Sequence, residues 1–217
     1  MLSLSRSLEN TVIIDDTEYN IDLSFDNVLL VYEAIADESL NPLATLLTVL
    51  KLLFVDDVPL KNDIDAQILI YKNIMETYIQ ENAMNQTNMQ IAKEEKNLDE
   101  IEEEEEYFSL IQDANYIYAS FLFDYKIDLI DMQGKLHWHK FKALLTSLSE
   151  QTMFSRVVNI RQQKIDKNMS KEEKESLRQQ KEIFALEKSQ SQLNFDAMDL
   201  AEKEAYARKM MQEGGDM

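Results

Sequence analysis

His137 and His139 are the only histidines in this 217-residue chain, and they are its first candidates for metal binding or proton transfer. They flank Trp138. On a helix, positions i and i+2 point about 200° apart, so the pair cannot share an ion there. On a strand they could, but Trp138, Phe141 and Leu145 recur at helical spacing. The reading places His139 on the polar side of a helix, His137 on its shoulder, and no metal between them. The chain has 41 Asp and Glu, so neighbours such as Asp15-Asp16 and Asp56-Asp57 arise by chance. None stands in a recognisable glycosidase or nuclease frame. With no cysteine, thiol catalysis, thiolate metal sites and disulfides are excluded. No G-x-S-x-G, GxxxxGK[ST], H-E-x-x-H or EF-hand loop occurs. The expectation is a protein that is not an enzyme, needs no cofactor and acts by binding.

Two sets of residues could bind. Residues 135–181 hold 11 Lys and Arg against 5 Asp and Glu. Within them Arg156, Arg161 and Lys164 precede Lys174, Arg178 and Lys181, which share one helix face. Such a patch suits an acidic protein surface or nucleic acid, or it neutralises the chain's own acidic part. The formal net charge is −19, and residues 1–131 alone carry 28 acidic against 7 basic side chains. That field repels phosphate, and no aromatic platform interleaves with the bases, so nucleic acid is not an expected partner. The second set is aromatic: Tyr118, Phe121 and Tyr125, then Trp138 and Phe141. This seam is most simply core, with a binding groove as the other reading. Eleven methionines favour the groove, because flexible thioethers grip varied apolar segments. The partner-binding candidates are therefore Tyr118, Phe121, Tyr125, Trp138, Phe141, Arg161, Lys174, Arg178 and Lys181.

The elements carrying these residues read as mainly α. Three glycines and two prolines leave little for folds rich in tight turns. The one strand signal is Thr11 to Leu23, where Tyr19, Ile21 and Leu23 alternate with polar residues around an Asp15-Asp16-Thr17 turn. Ser24 or Asp26 opens a helix carrying Phe25, Val28, Leu29, Tyr32 and Ile35. Asn41-Pro42 opens another with Leu43, Leu46, Leu47, Leu50, Leu53 and Phe54. Its most apolar run, Leu43 to Val55, is 13 residues long, short of the roughly 20 needed to span a bilayer. Asp63 caps a third, with a seam of Ile64, Ile68, Tyr71, Met75 and Tyr78. Phe108, Ile111, Ala114, Tyr118, Phe121 and Tyr125 form a broad aromatic face. Trp138, Phe141, Leu145 and Leu148 follow, with Lys135, His139 and Lys142 opposite, and then a short stripe of Met153, Val157 and Ile160. Ser170 to Glu173 fits a capping box. A last helix is expected from about Asp196 to Met211.

The organisation read from this is a compact multi-helix domain with a small N-terminal β-hairpin, an acidic linker and an extended helical C-terminal tail. Residues 1–81 hold the hairpin and helices, and 82–106 are the acidic polar linker. Residues 107–165 are the aromatic-rich helical part that packs on 1–81 as one domain, and 166–217 are a polar helical, mobile tail. The start of the chain lacks a basic run followed by an apolar core, so no export signal is read there.

Asp113-Ala114-Asn115-Tyr116-Ile117-Tyr118-Ala119-Ser120-Phe121, Tyr125-Lys126-Ile127-Asp128-Leu129, Leu136-His137-Trp138-His139-Lys140-Phe141 and the downstream Ile160-Arg161 resemble a family of small acidic proteins. Its members come from tailed phages and prophages of Gram-positive bacteria. The similarity covers most of the chain and is strongest over 107–165. In such phages the family's gene usually lies between those of the tail tube and tape measure proteins. The resemblance implies a tail assembly chaperone that binds the tape measure protein and keeps it soluble, with tail tube subunits and self-association as further contacts. It implies action in the host cytoplasm, no membrane association and absence from the finished virion. The family has no catalytic motif to carry over. The rival readings are a structural head–tail or tail completion protein of the virion, and a nucleic-acid-binding regulator acting through 135–181.

Overall fold

The computed structural model describes residues 2–79 and 107–187. The expected acidic linker at 82–106 and the expected last helix at 196–211 lie outside the described residues. The chain divides into two compact units, 1–164 and 165–217.

The first unit opens with a hairpin of β1 (Thr11–Ile14) and β2 (Thr17–Asn20), antiparallel with Val12 opposite Tyr19. Asp15 and Asp16 take left-handed φ values of 48° and 60°, the pattern of a two-residue turn whose twist matches the strands. Short Asp side chains tolerate that region better than most residues. A hairpin this small needs support. Ile21 makes a bridge to Phe54, and Val55 N–H donates to the Asn20 carbonyl at 3.1 Å. On the other edge the Tyr78 hydroxyl donates to the Thr11 carbonyl at 3.0 Å.

The helices are α1 (Phe25–Ala36), α2 (Pro42–Leu53), α3 (Ile64–Ile74), α4 (Ala114–Tyr125), α5 (Trp138–Thr146) and α6 (Met153–Gln162). Their starts follow from capping chemistry. Asn41 and Asp63 side chains accept from the N–H groups of Ala44 and Ala66 at 2.9 and 3.0 Å, as the sequence predicts. Ser24 precedes α1 without capping it; Asp22 Oδ1 instead accepts the Ser24 N–H at 2.9 Å. Gly134 holds φ +66° and donates its N–H to Asp26 Oδ1 at 2.8 Å, a backbone conformation that favours glycine. The second unit contains α7 (Lys171–Ile183), opened by the expected capping box between Ser170 and Glu173.

Several expected faces are shifted. On α3, Ile64 is half exposed, and the buried side is Gln67, Ile70 and Ile74, continuing through Met75 and Ile79. Gln67, Ile70 and Ile74 keep ordinary helical spacing, and the π-helical turn at Met75–Ile79 then sets Ile79 five residues after Ile74 on the same buried side. Helix α4 starts at Ala114, so Phe108 and Ile111 precede it, and its buried residues are Ile117, Ser120 and Phe121. On α6 the buried pair is Phe154 and Val157, and Met153 is exposed.

Residues 20–25 are threaded between two helix ends. Asp22 N–H donates to the Leu53 carbonyl at 2.7 Å, Trp138 N–H to the Leu23 carbonyl at 2.7 Å, and Phe25 N–H to the Leu136 carbonyl at 2.9 Å. The buried Asn27 amide donates to the carbonyls of Asp22 and Leu52, both at 2.9 Å. Around this thread lies the core. Phe141 stacks on Phe25 of α1 (ring centroids 5.1 Å apart), Phe121 of α4 (5.2 Å) and Trp138 (5.5 Å). Each such contact adds about 0.5–1.5 kcal/mol beyond area burial. Phe141→Ala should therefore cost about 3–5 kcal/mol in urea unfolding followed by Trp138 emission. Phe123→Ala, at an exposed site, should stay within about 0.5 kcal/mol. Equal effects of the two would contradict this core.

Candidate interaction site

The aromatic candidates divide by depth. Phe121, Trp138 and Phe141 are 0%, 2% and 1% exposed, so these three rings are core and present no surface to a partner. Tyr118 and Tyr125 are half-buried with committed hydroxyls: Tyr118 donates to Asp128 Oδ2 at 3.1 Å, and Tyr125 to the Leu144 carbonyl at 2.9 Å. Both phenols are pushed up. The Asp128 hydrogen bond holds the Tyr118 proton, and burial does the same at Tyr125.

Trp138 has a polar role as well. Its indole N–H donates to the Ile79 carbonyl at 3.1 Å, and Lys142 Nζ donates to the same oxygen at 3.2 Å. Lys142 also lies over the Trp138 ring, 5.6 Å from its centroid. The carbonyl at the end of the π-helical turn thus receives an aromatic donor and a cation, which suits the negative end of a helix.

Arg161 is a correction to the basic-patch reading. Its guanidinium grips Asp113 bidentately at 2.6 and 2.8 Å, with the two side chains 9% and 2% exposed. It also donates to the Tyr107 carbonyl at 3.0 Å, while Asp113 Oδ2 accepts the Ser109 N–H at 3.0 Å. Arg161 therefore ties the last turn of α6 to the start of α4 and is not part of a solvated cationic face. Asp113 escaped the sequence reading. Its signal was an Asp immediately before an apolar helical run, the position of an N-cap. Lys174, Arg178 and Lys181 belong to the second unit, at i, i+4 and i+7 on α7. Lys174 Nζ donates to the Lys167 carbonyl at 2.8 Å, and Arg178 lies 4.0 Å from Glu175 in an exposed pair of little energetic weight.

The histidines also depart from expectation. His137 has extended backbone and caps α5, its Nδ1 accepting the His139 N–H at 3.0 Å. That places the two rings side by side, 5.1 Å apart, and His139 is buried, not on a polar face. An acceptor at Nδ1 puts the proton of the neutral ring on Nε2, which is buried. Desolvation lowers the His137 pKa, the Glu9 backbone opposes the shift, and Lys140 and Lys142 reinforce it. Among the described residues no group of three or more His, Asp or Glu is placed to hold a metal ion.

The surface missed by sequence reading is the outer side of α4. Asn115, Ala119, Leu122 and Phe123 share it, with Leu122 43% and Phe123 55% exposed. Lys126 closes the helix in a left-handed conformation and lies over the Phe123 ring at 5.5 Å.

These features define a helical domain held by a stacked aromatic core, a buried ion pair and side-chain bonds to the backbone. The chain belongs to the family of bacteriophage Gp15 proteins, whose family model matches residues 4–186. It is a phage protein, and the resemblance read over 107–165 holds at that level. No curated protein and no solved structure matches the chain. Among the described residues no helix is long and apolar enough to cross a membrane.

Two outcomes follow from this geometry. Arg161→Ala leaves Asp113 buried and uncompensated, and should cost about 3–5 kcal/mol in chemical denaturation. A loss under about 1 kcal/mol would contradict the buried pair. The second concerns pH. The unfolded chain protonates His137 near its ordinary 6.5 whereas the folded chain resists, so the unfolded state binds more protons and stability rises with pH. Melting temperature should therefore fall between about pH 7 and 5.5, above the range where ordinary carboxylates titrate. His137→Asn keeps a capping oxygen and should flatten that slope. An unchanged slope in the variant would remove His137 from the account.

Proposed function

We propose that this phage protein is an assembly factor, a tail assembly chaperone that binds the tape measure protein and keeps it soluble until tail tube subunits enclose it. The observation that carries the reading is the combination of an acidic body with apolar side chains left outside on its helices. The net charge is −19, yet Leu43 and Leu47 of α2, Leu69 of α3, and Leu122 and Phe123 of α4 are all 43–67% exposed. Apolar helix faces cover the stripes of a long helical client, and like charge keeps the loaded complexes apart. Family membership supports a role in the phage, and the gene order implied by the resemblance supports the tail. The role is binding rather than catalysis, exercised in the host cytoplasm, and the protein leaves before the particle is finished.

Co-expression with the tape measure protein encoded beside it provides the test. The expected result is a soluble tape measure protein that co-purifies with several copies of this chain, together with virions that lack it. An insoluble tape measure protein, with this chain present in purified virions, would replace the reading with a structural tail component.

A further inference from the structure

Helix α4 is apolar on both sides. Its inner side buries Ile117 and Phe121 in the core. Its outer side presents Asn115, Ala119, Leu122 and Phe123, which fall within about a quarter to a third of a turn of one another. None of this outer group is needed to close the core, and a helix apolar all round is ordinarily covered on all sides. One flank of the stripe is acidic. Tyr118 borders it, and its hydroxyl is bonded to Asp128, while the charge of Asp131 also acts on that phenol. Asp131 is exposed. The carboxylates of Asp128 and Asp131 make the potential along that flank negative. Lys126 is at the C-terminal tip of the stripe and donates to the Phe123 carbonyl.

We propose that the outer face of α4, formed by Asn115, Ala119, Leu122 and Phe123 and rimmed by Asp128 and Asp131, docks an amphipathic α-helix whose apolar stripe is bordered by Lys or Arg. Leu122 and Phe123 supply the apolar contact, and Asp128 and Asp131 select the cationic border. An acidic-bordered helix is rejected by the same rim. This goes beyond the client reading above, because it fixes the surface and the chemistry of its occupant whichever protein carries that helix.

Full-length chain is titrated into two fluorescent designed amphipathic peptides, one of Leu and Lys and one of Leu and Glu, with anisotropy as the readout. The Leu/Lys peptide should bind at least about tenfold more tightly than the Leu/Glu peptide. The double variant Leu122→Ser/Phe123→Ser should weaken Leu/Lys binding by about tenfold or more. Ala119→Arg, which keeps a good helix former while placing a bulky cation mid-face, should do the same, and Asp131→Lys should weaken it by a smaller factor. Thermal melts by circular dichroism should show each variant folded. Undiminished binding of the Leu/Lys peptide to folded Ala119→Arg and to the double variant would overturn the proposal, as would equal binding of the two peptides. So would a self-associating wild-type chain that becomes monomeric in the double variant, because a second copy would then be the occupant. Success or failure with the tape measure protein leaves these outcomes unchanged, so the two readings fail separately.

Discussion

The fold depends on one ring. Phe141 stacks against Phe25, Phe121 and Trp138, and so joins the first helix, the fourth and its own into one aromatic layer. The partners lie far apart in sequence, so the layer forms only when the parts of the chain before and after residues 80–106 have met. Aromatic stacking suits this task because it fixes orientation as well as burial. The backbone thread at residues 20–25, bonded to the ends of α2 and α5, sets the height at which Phe25 enters the layer. The buried Asn27 amide holds the same thread to Leu52. A thread of this kind satisfies backbone groups that would otherwise be buried without partners.

Polar chemistry is spent on pinning the chain. The described residues on either side of 80–106 are Ile79 and Tyr107, and each offers its carbonyl to a cationic side chain. Ile79 receives Lys142 along with the Trp138 indole, and Tyr107 receives Arg161. The acidic run Glu102 to Glu106 therefore leads directly into a residue whose backbone is held by a guanidinium. That guanidinium is itself neutralised by Asp113 in a buried bidentate pair, an arrangement strong only while both partners remain. The inner aromatic and ionic contacts hold the domain's shape, while Leu43, Leu47, Leu69, Leu122 and Phe123 lie exposed on the outer helix faces.

Much of this was legible in the residues, and the exceptions have physical causes. Local signals worked: Asn41-Pro42, Asp63 and Ser170-Glu173 mark helix starts because capping is decided within a few residues, and Asp15-Asp16 marks the turn for the same reason. Face assignment was weaker wherever a helix is apolar all round or departs from the regular period. The Ile74–Ile79 step of five belongs to a π-helical turn, which a 3.6-residue template passes over. On α4 the expected stripe included Phe121, which is core, and left out Phe123, which is exposed, but it also took in Tyr118 and Tyr125, which are only half-buried. Arg161 reads as part of a basic stretch, because its partner Asp113 is 48 residues away and no local pattern links them. His137 reads as helical because the helix begins one residue later.

The central claim is that two separate stretches of chain share one aromatic layer through Phe141. The most direct measurement is a double-mutant cycle on Phe25→Leu and Phe141→Leu by urea unfolding, which isolates the energy of the contact itself. A coupling of about 0.5–1.5 kcal/mol between the two sites is predicted. Strictly additive losses would contradict the stacked layer and leave the rings as independent apolar fillers.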